Sequence, residues 1–321
     1  MKTKFKFITA RHSIASLACA GTILLMAPRS HAQNLFVANC SSANNILQIT
    51  PGAVQNTFVS GLSGPEGMVF NSAGDLFVAD SQSGNIYEFT PGGMRSTFAS
   101  GFNLPYGLAF DNAGDLFVTD GDANNIIVIT SGGVRATFAS GLVDPAGLAF
   151  NSAGDLFEGD MHSGNIYEFT PGGVRSTFAF GLAGPWGLAF DNAGNLFVAN
   201  EDNGVLGGGS ITEIMLSGGQ RTIASGLSAP NGLAFNGAGD LFVTEGKAND
   251  ILEYTPDGTQ STFASGLDNP VGLAFQPAPE PSVFGLLAIG TTALLVRRRI
   301  GIFENHNGFH SMRSGFYEST P

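Results

Sequence analysis

The chain has 321 residues, with 45 glycines, 15 prolines, two cysteines and a formal net charge of −12. Between residues 33 and 281 lie 24 of the 26 acidic residues but only five of the 14 basic ones: Arg95, Arg135, Arg175, Arg221 and Lys247. That balance excludes nucleic acid as a partner, because phosphate binding is driven by Lys and Arg, and two cysteines cannot make a disulfide framework.

In chain order, Lys2, Lys4, Lys6 and Arg11 give a basic start, and an apolar run follows over residues 14–27. Ser30-His31-Ala32 then supplies the small residues that a signal peptidase requires. Residues 1–32 are therefore expected to be a secretory signal, with Gln33 opening the mature chain. Cys40 is then the only thiol left, and its expected place is in the core.

Residues 33–278 repeat. A Leu-Phe strand core recurs at Leu35, Leu76, Leu116, Leu156, Leu196 and Leu241, and a Gly-[Leu/Met]-[Ala/Val]-Phe string at 67–70, 107–110, 147–150, 187–190, 232–235 and 272–275. Six copies at a spacing of about 40 residues predict an all-β, six-bladed propeller of four-stranded blades. In one copy the strands are expected at 107–110, 115–119, 126–130 and 134–139. Asp111-Asn112-Ala113-Gly114 is expected to be a tight hairpin, and Thr90-Pro91-Gly92-Gly93 a turn that uses proline's fixed φ and glycine's positive φ. The repeat region begins on a second strand and ends on a first one, so the last strand is expected to complete the first blade and close the ring. Two aromatic rungs, Phe70, Phe110, Phe150, Phe190, Phe235, Phe275 and Phe58, Phe98, Phe138, Phe178, Phe263, are expected in the core, each ring contributing about 2 kcal/mol by burial.

Any chemistry is expected at the end of the ring where first strands start and second strands finish. One set of residues there varies: Glu66, Tyr106, Ala146, Trp186, Asn231 and Val271. A second set ends the second strands: Asn39, Asp80, Asp120, Asp160, Asn200 and Glu245. Together they should encircle the channel mouth and offer a ligand-binding surface. The second set has another use, because an Asp or Asn at a strand end also bonds to the amides of a following turn. His162 is the only histidine of the region and the one candidate base on that face, so a multi-histidine zinc site is excluded. The loop 201–210, EDNGVLGGGS, is longer than its counterparts and would open over the same mouth.

The repeat resembles the NHL-type propeller over nearly all of residues 33–278. A narrower resemblance is to the gluconolactonase and senescence-marker lactonases, six-bladed propellers with a divalent metal in the channel. Glu66-Gly67-Met68-Val69-Phe70 and Pro230-Asn231-Gly232-Leu233 match strings that supply a Glu and an Asn ligand there, which implies Glu66 and Asn231 as metal ligands and Ca2+ or another divalent cation as cofactor. The next such string should carry an Asp, ligand and base, but Val271 stands in its place and can neither coordinate a cation nor take a proton. The repeats are also similar to those of the streptogramin-opening lyases, in which reading His162 would serve as base.

After the repeats, Pro279-Glu280-Pro281 precedes an apolar run over 283–296 and the triplet Arg297-Arg298-Arg299. This closely resembles the PEP-CTERM sorting signal, which implies cleavage by an exosortase-type transpeptidase and display at the envelope surface. Fourteen helical residues reach roughly 21 Å, short of the roughly 30 Å hydrocarbon core. The arginines would have to extend to the interface and would mark the cytoplasmic side, leaving the propeller outside. A plain short membrane anchor is the alternative. The expected organisation is thus 1–32 signal, 33–278 propeller, 279–299 sorting segment and 300–321 a tail with no assigned role. The expected function is an exported, monomeric binding or scaffold module for a glycan, small molecule or protein, with a metal-dependent lactonase or a lyase as the enzymatic alternatives.

Overall fold

A computed structural model describes residues 33–201 and 207–278. The expected signal, sorting segment and tail lie outside these residues. What is described is all-β: 24 strands in six four-stranded antiparallel sheets. Blade one joins β24 (Pro270–Phe275) to β1 (Leu35–Asn39), β2 (Asn45–Ile49) and β3 (Gln55–Val59). Blades two to six follow at residues 65–100, 105–140, 145–179, 185–227 and 230–265. The expected closure is present: Leu35 pairs with Phe275, Phe36 with Ala274 and Val37 with Leu273. A ring joined through backbone hydrogen bonds between its ends leaves no open edge at that joint.

Turn chemistry is as the sequence requires. Gly114 adopts φ 82° and closes its hairpin by donating to the Asp111 carbonyl, and Gly93 adopts φ 80° and donates to the Thr90 carbonyl. In blade three the strands run Pro105–Phe110, Leu116–Asp120, Asn125–Ile129 and Arg135–Ser140, each within two residues of expectation.

The glycine of the repeated Pro-x-Gly string has a reason that spacing does not reveal. None of the six has positive φ. Each faces the backbone of the neighbouring blade, where a Cβ on Gly67, Gly107, Gly147, Gly187, Gly232 or Gly272 would fall 2.0 to 2.2 Å from the carbonyl oxygen of Tyr106, Ala146, Trp186, Asn231, Val271 or Glu66 respectively. The contacts run round the ring and return to their start. A side chain here would push the innermost strands apart, so the narrow hub of a six-part wheel needs glycine six times.

Between blades sit six apolar clusters, each with a second-strand phenylalanine near its centre: Phe36, Phe77, Phe117, Phe157, Phe197 and Phe242. These rings are the buried ones. The two rungs expected in the core flank them edge-on, as Phe58 and Phe70 flank Phe36 at 5.0 and 5.1 Å, and are half-buried, with Phe98 37% exposed. The rung phenylalanines therefore contribute less than full burial, and part of their effect comes from ring-edge geometry worth about 1 kcal/mol a pair.

Candidate functional site

The axial channel narrows to a cavity of about 120 Å³ lined by the first-strand residues, among them Glu66, Tyr106, Ala146, Trp186 and Val271. Of the six variable residues, Ala146, Asn231 and Val271 are buried, and Glu66, Tyr106 and Trp186 are partly open. The mouth is lopsided. Ala146 is small, so the Tyr106 and Trp186 rings reach across its sector and meet at 5.2 Å between centroids. Tyr106 leans over the turn after the second strand of its own blade, where a Cβ on Gly121 would stand 2.4 Å from the ring.

Beside Tyr106, on the side away from Ala146, the Cys40 thiol donates to Glu66 Oε1 at 3.2 Å. Burial raises the Glu66 carboxyl to about 7; the thiol's hydrogen bond draws it down, and the charge of Glu201 raises it further. Burial first, then the Glu66 charge, holds the Cys40 thiol far above the ordinary thiol range, so it stays protonated and is no nucleophile. Tyr106 is pushed up to about 12, again by burial first and by Glu66 second. Glu201 is raised by burial and drawn back by Lys247. The mouth thus combines a carboxyl poised near neutrality, a hydroxyl and two aromatic faces.

The second set does not line the cavity. Asp80 accepts the Ser63 amide at 2.8 Å, Asp120 the Asn103 amide at 2.6 Å, Asp160 the Val143 amide at 2.6 Å and Glu245 the Ser228 amide at 2.7 Å. All four are buried and reach back 17 residues to the loop that enters their own blade. Asn39 receives the Asp268 amide, and Asn200 donates to Thr212 Oγ1 at 2.9 Å. The ligand surface expected of Asp80, Asp120, Asp160 and Glu245 gives way to the turn-bonding use, since their carboxylates hold the amides of the inter-blade crossings. Asn200 is also buried, but its amide bonds Ser210 and Thr212 on the next strand of its own blade and its Oδ1 has no hydrogen-bond partner.

Glu66 and Asn231 stand two sectors apart with Val271 between them. The Asn231 amide nitrogen lies 2.9 Å from where a Cβ on Gly246 would be, turned toward that turn. Among the described residues, no group of three or more His, Cys, Asp and Glu is placed to hold a metal. The residues present do not fit the metal site that the lactonase resemblance implies. His162 sits on the rim with its side chain 69% exposed, its Nδ1 3.1 Å from Asp144 Oδ2, and does not line the cavity. Of the long loop, Glu201 and residues 207–210 are described; Glu201 donates its amide to the Gly184 carbonyl.

Two residues escaped the sequence reading. Cys40 was expected in the core but borders the mouth. Glu158 takes the place held by valine in the other five second strands (Val37, Val78, Val118, Val198, Val243) and is fully buried, with neither carboxyl oxygen in a hydrogen bond. Burial, then the charge of Asp160, raises it well above the usual carboxylate range, while Arg175 and the nearby Ala146 amide pull the other way. The break from LFV to LFE was the available signal.

No family model matches the chain, and no curated protein matches it. Solved structures do. The chain is similar to one from the nidogen/laminin complex at TM-score 0.68 and 20% identity, covering 76% of this chain and 98% of that one. It is similar to streptogramin B lyase at TM-score 0.58 and 17% identity, covering 76% and 95%. A putative gluconolactonase aligns at TM-score 0.56 and 17% identity, covering 64% and 79%. At such identities these likenesses establish the propeller fold and nothing finer.

Proposed function

We propose that the protein is an exported propeller that binds a neutral, hydroxyl-rich ligand of the glycan type at its channel mouth. A secretory signal would be removed by signal peptidase ahead of Gln33. An exosortase-like transpeptidase acting at Pro279-Glu280-Pro281, with Arg297, Arg298 and Arg299 on the cytoplasmic side, would then place it at the envelope surface.

One observation carries the binding assignment. Within a frame repeated six times, the three variable residues that remain open at the mouth are Glu66, Tyr106 and Trp186, and two of them form a joined aromatic surface. Aromatic faces accept the apolar face of a sugar ring, and the Glu66 carboxyl accepts its hydroxyls. The surrounding excess of acids disfavours anionic ligands. A cavity of about 120 Å³ is too small to swallow a saccharide, so the ligand would rest on the mouth.

Trp186 is the only tryptophan of the chain, which makes its emission a reporter of this surface alone. Titration with neutral oligosaccharides should shift or quench that emission saturably, and Tyr106→Ala should weaken the effect by roughly tenfold, the usual scale for losing a buried aromatic contact. Unchanged emission across neutral and acidic glycans would remove the assignment.

A hydrolase is the second reading, favoured by a Glu66 carboxyl near 7, the range suited to general acid–base work. Its test is lactone turnover with and without added Ca2+, lost in Glu66→Gln. The lyase reading has less support, because His162 lies outside the cavity lining.

A further inference from the structure

The fourth-strand phenylalanine closes the outer groove between neighbouring blades in five of the six blades. Phe58, Phe98, Phe138, Phe178 and Phe263 stand edge-on to Phe36, Phe77, Phe117, Phe157 and Phe242 at 4.9 to 5.0 Å. In blade five the equivalent residue, at the same bulge in β19 (Gln220–Leu227), is Ile223, and among the described residues Phe197 keeps one ring–ring contact, with Phe235. Next to this substitution is a groove of about 530 Å³ between blades five and six, against about 330 Å³ for the groove between blades six and one, where Phe263 is present.

The polar wall of this groove departs from the repeat as well. In blades two and four a serine faces the third-strand glutamate, as Ser96 faces Glu88 and Ser176 faces Glu168. Blade five has Arg221 at that register, opposite Glu213. Glu213 is buried, and both Arg221 contacts go to its Oε2, by Nε at 2.6 Å and by Nη2. Asp191 and Asp257 stand at the rim. Burial is slight at Asp257, and hydrogen bonds from Thr255 and Thr259 hold its carboxyl below the usual range, so it is charged at neutral pH. The groove therefore has an apolar floor of Phe197, Ile223, Phe235, Leu241 and Tyr254 beneath three acids and one arginine.

We propose that this groove is a second ligand site, distinct from the channel mouth, which takes a small molecule carrying one aromatic ring and a positively charged amine. The repeat itself defines the apolar part of the ligand, since five other blades carry a phenyl ring where the smaller Ile223 packs on the cluster, and a ligand ring beside Ile223 would restore the missing edge-on contact with Phe197. The acids define the charge: the ring lies against Phe197 and Phe235, and the ammonium group meets Glu213 Oε1 and the rim acids. A site of this volume with an apolar floor and few polar groups is of the usual size for a small organic ligand.

The test uses 2-phenylethylamine as probe and the full-length protein labelled at isoleucine methyl groups. The Ile223 methyl signal should move saturably with the probe, and 3-phenylpropionate, the same ring with the opposite charge, should bind at least about tenfold more weakly, a modest difference for a charge reversal beside acids. Ile223→Phe supplies the missing ring from within, so it should raise Tm and abolish the shift of the neighbouring methyl groups. Asp257→Asn should weaken amine binding several-fold without moving Tm. No movement of the Ile223 signal, equal binding of the two probes, or undiminished binding by Ile223→Phe would each overturn the proposal, whatever the outcome at Trp186.

Discussion

Two rings of residues meet at the same end of the propeller, and they differ in an instructive way. The ring that closes the second strands is acidic or amide throughout and looks chemically richer, yet its members are buried and all but Asn200 are bonded to backbone amides. The ring between proline and glycine has no common chemistry, and of the two it is the one whose members, Asn231 apart, line the channel. A residue type repeated in every blade answers a need that every blade shares, here the anchoring of a crossing loop. A position released from that need is where one sector can differ from the next.

The contrast can be broken most severely at the hub. Gly147→Ala would drive a Cβ into the Trp186 carbonyl, 2.0 Å away, and backbone cannot step aside on both flanks of a closed ring. A loss of at least about 3 kcal/mol is expected, at the upper end for overpacking, measured by denaturant unfolding. Asp160→Ala removes the partner of the Val143 and Ser163 amides and should cost about 2–3 kcal/mol in the same measurement. Tyr106→Ala, by contrast, should change stability by less than about 1 kcal/mol while weakening the ligand response of Trp186 roughly tenfold.

Glu158 sharpens the comparison from the other side, as a buried acid that anchors nothing. Glu158→Val restores the valine of the other five blades and should stabilise by about 2 kcal/mol, the scale of relieving an unbonded buried polar group. The folded protein holds this carboxyl above its unfolded value, so its neutral form is favoured and stability is lost as pH rises through the raised folded value. The gain from Glu158→Val should accordingly grow from pH 5 to pH 8, read as a difference in Tm. The same sign applies to Glu66, with a smaller effect at its partly open site: stability is full below its ordinary value of 4.5 and lost as pH rises through about 7, and Glu66→Gln should flatten that part of the curve.

Much of the architecture was legible. Blade number, strand order and the joining of β24 to β1 follow from where the repeat starts and stops, and the hairpin glycines from turn geometry alone. The candidate site was legible only in outline. Glu66, Tyr106 and Trp186 were found because they vary within a fixed frame, but the same reasoning also brought in Asp80, Asp120, Asp160, Asn200 and Glu245. Spacing cannot distinguish a side chain that faces the channel from one that turns back on its own loop. Cys40 was missed because it belongs to blade one and its partner Glu66 to blade two, and no local pattern relates them.

Local patterns, the turn strings within each unit and a repeat of about 40 along the chain, were enough to specify the wheel, because strand formation and tight turns depend on near neighbours. The joined Tyr106 and Trp186 rings, the thiol on Glu66, the glycine hub and the open groove beside Ile223 depend instead on contacts between different blades. Those contacts exist only once the ring has closed, since only closure brings side chains far apart in sequence within bonding distance and removes the water between them.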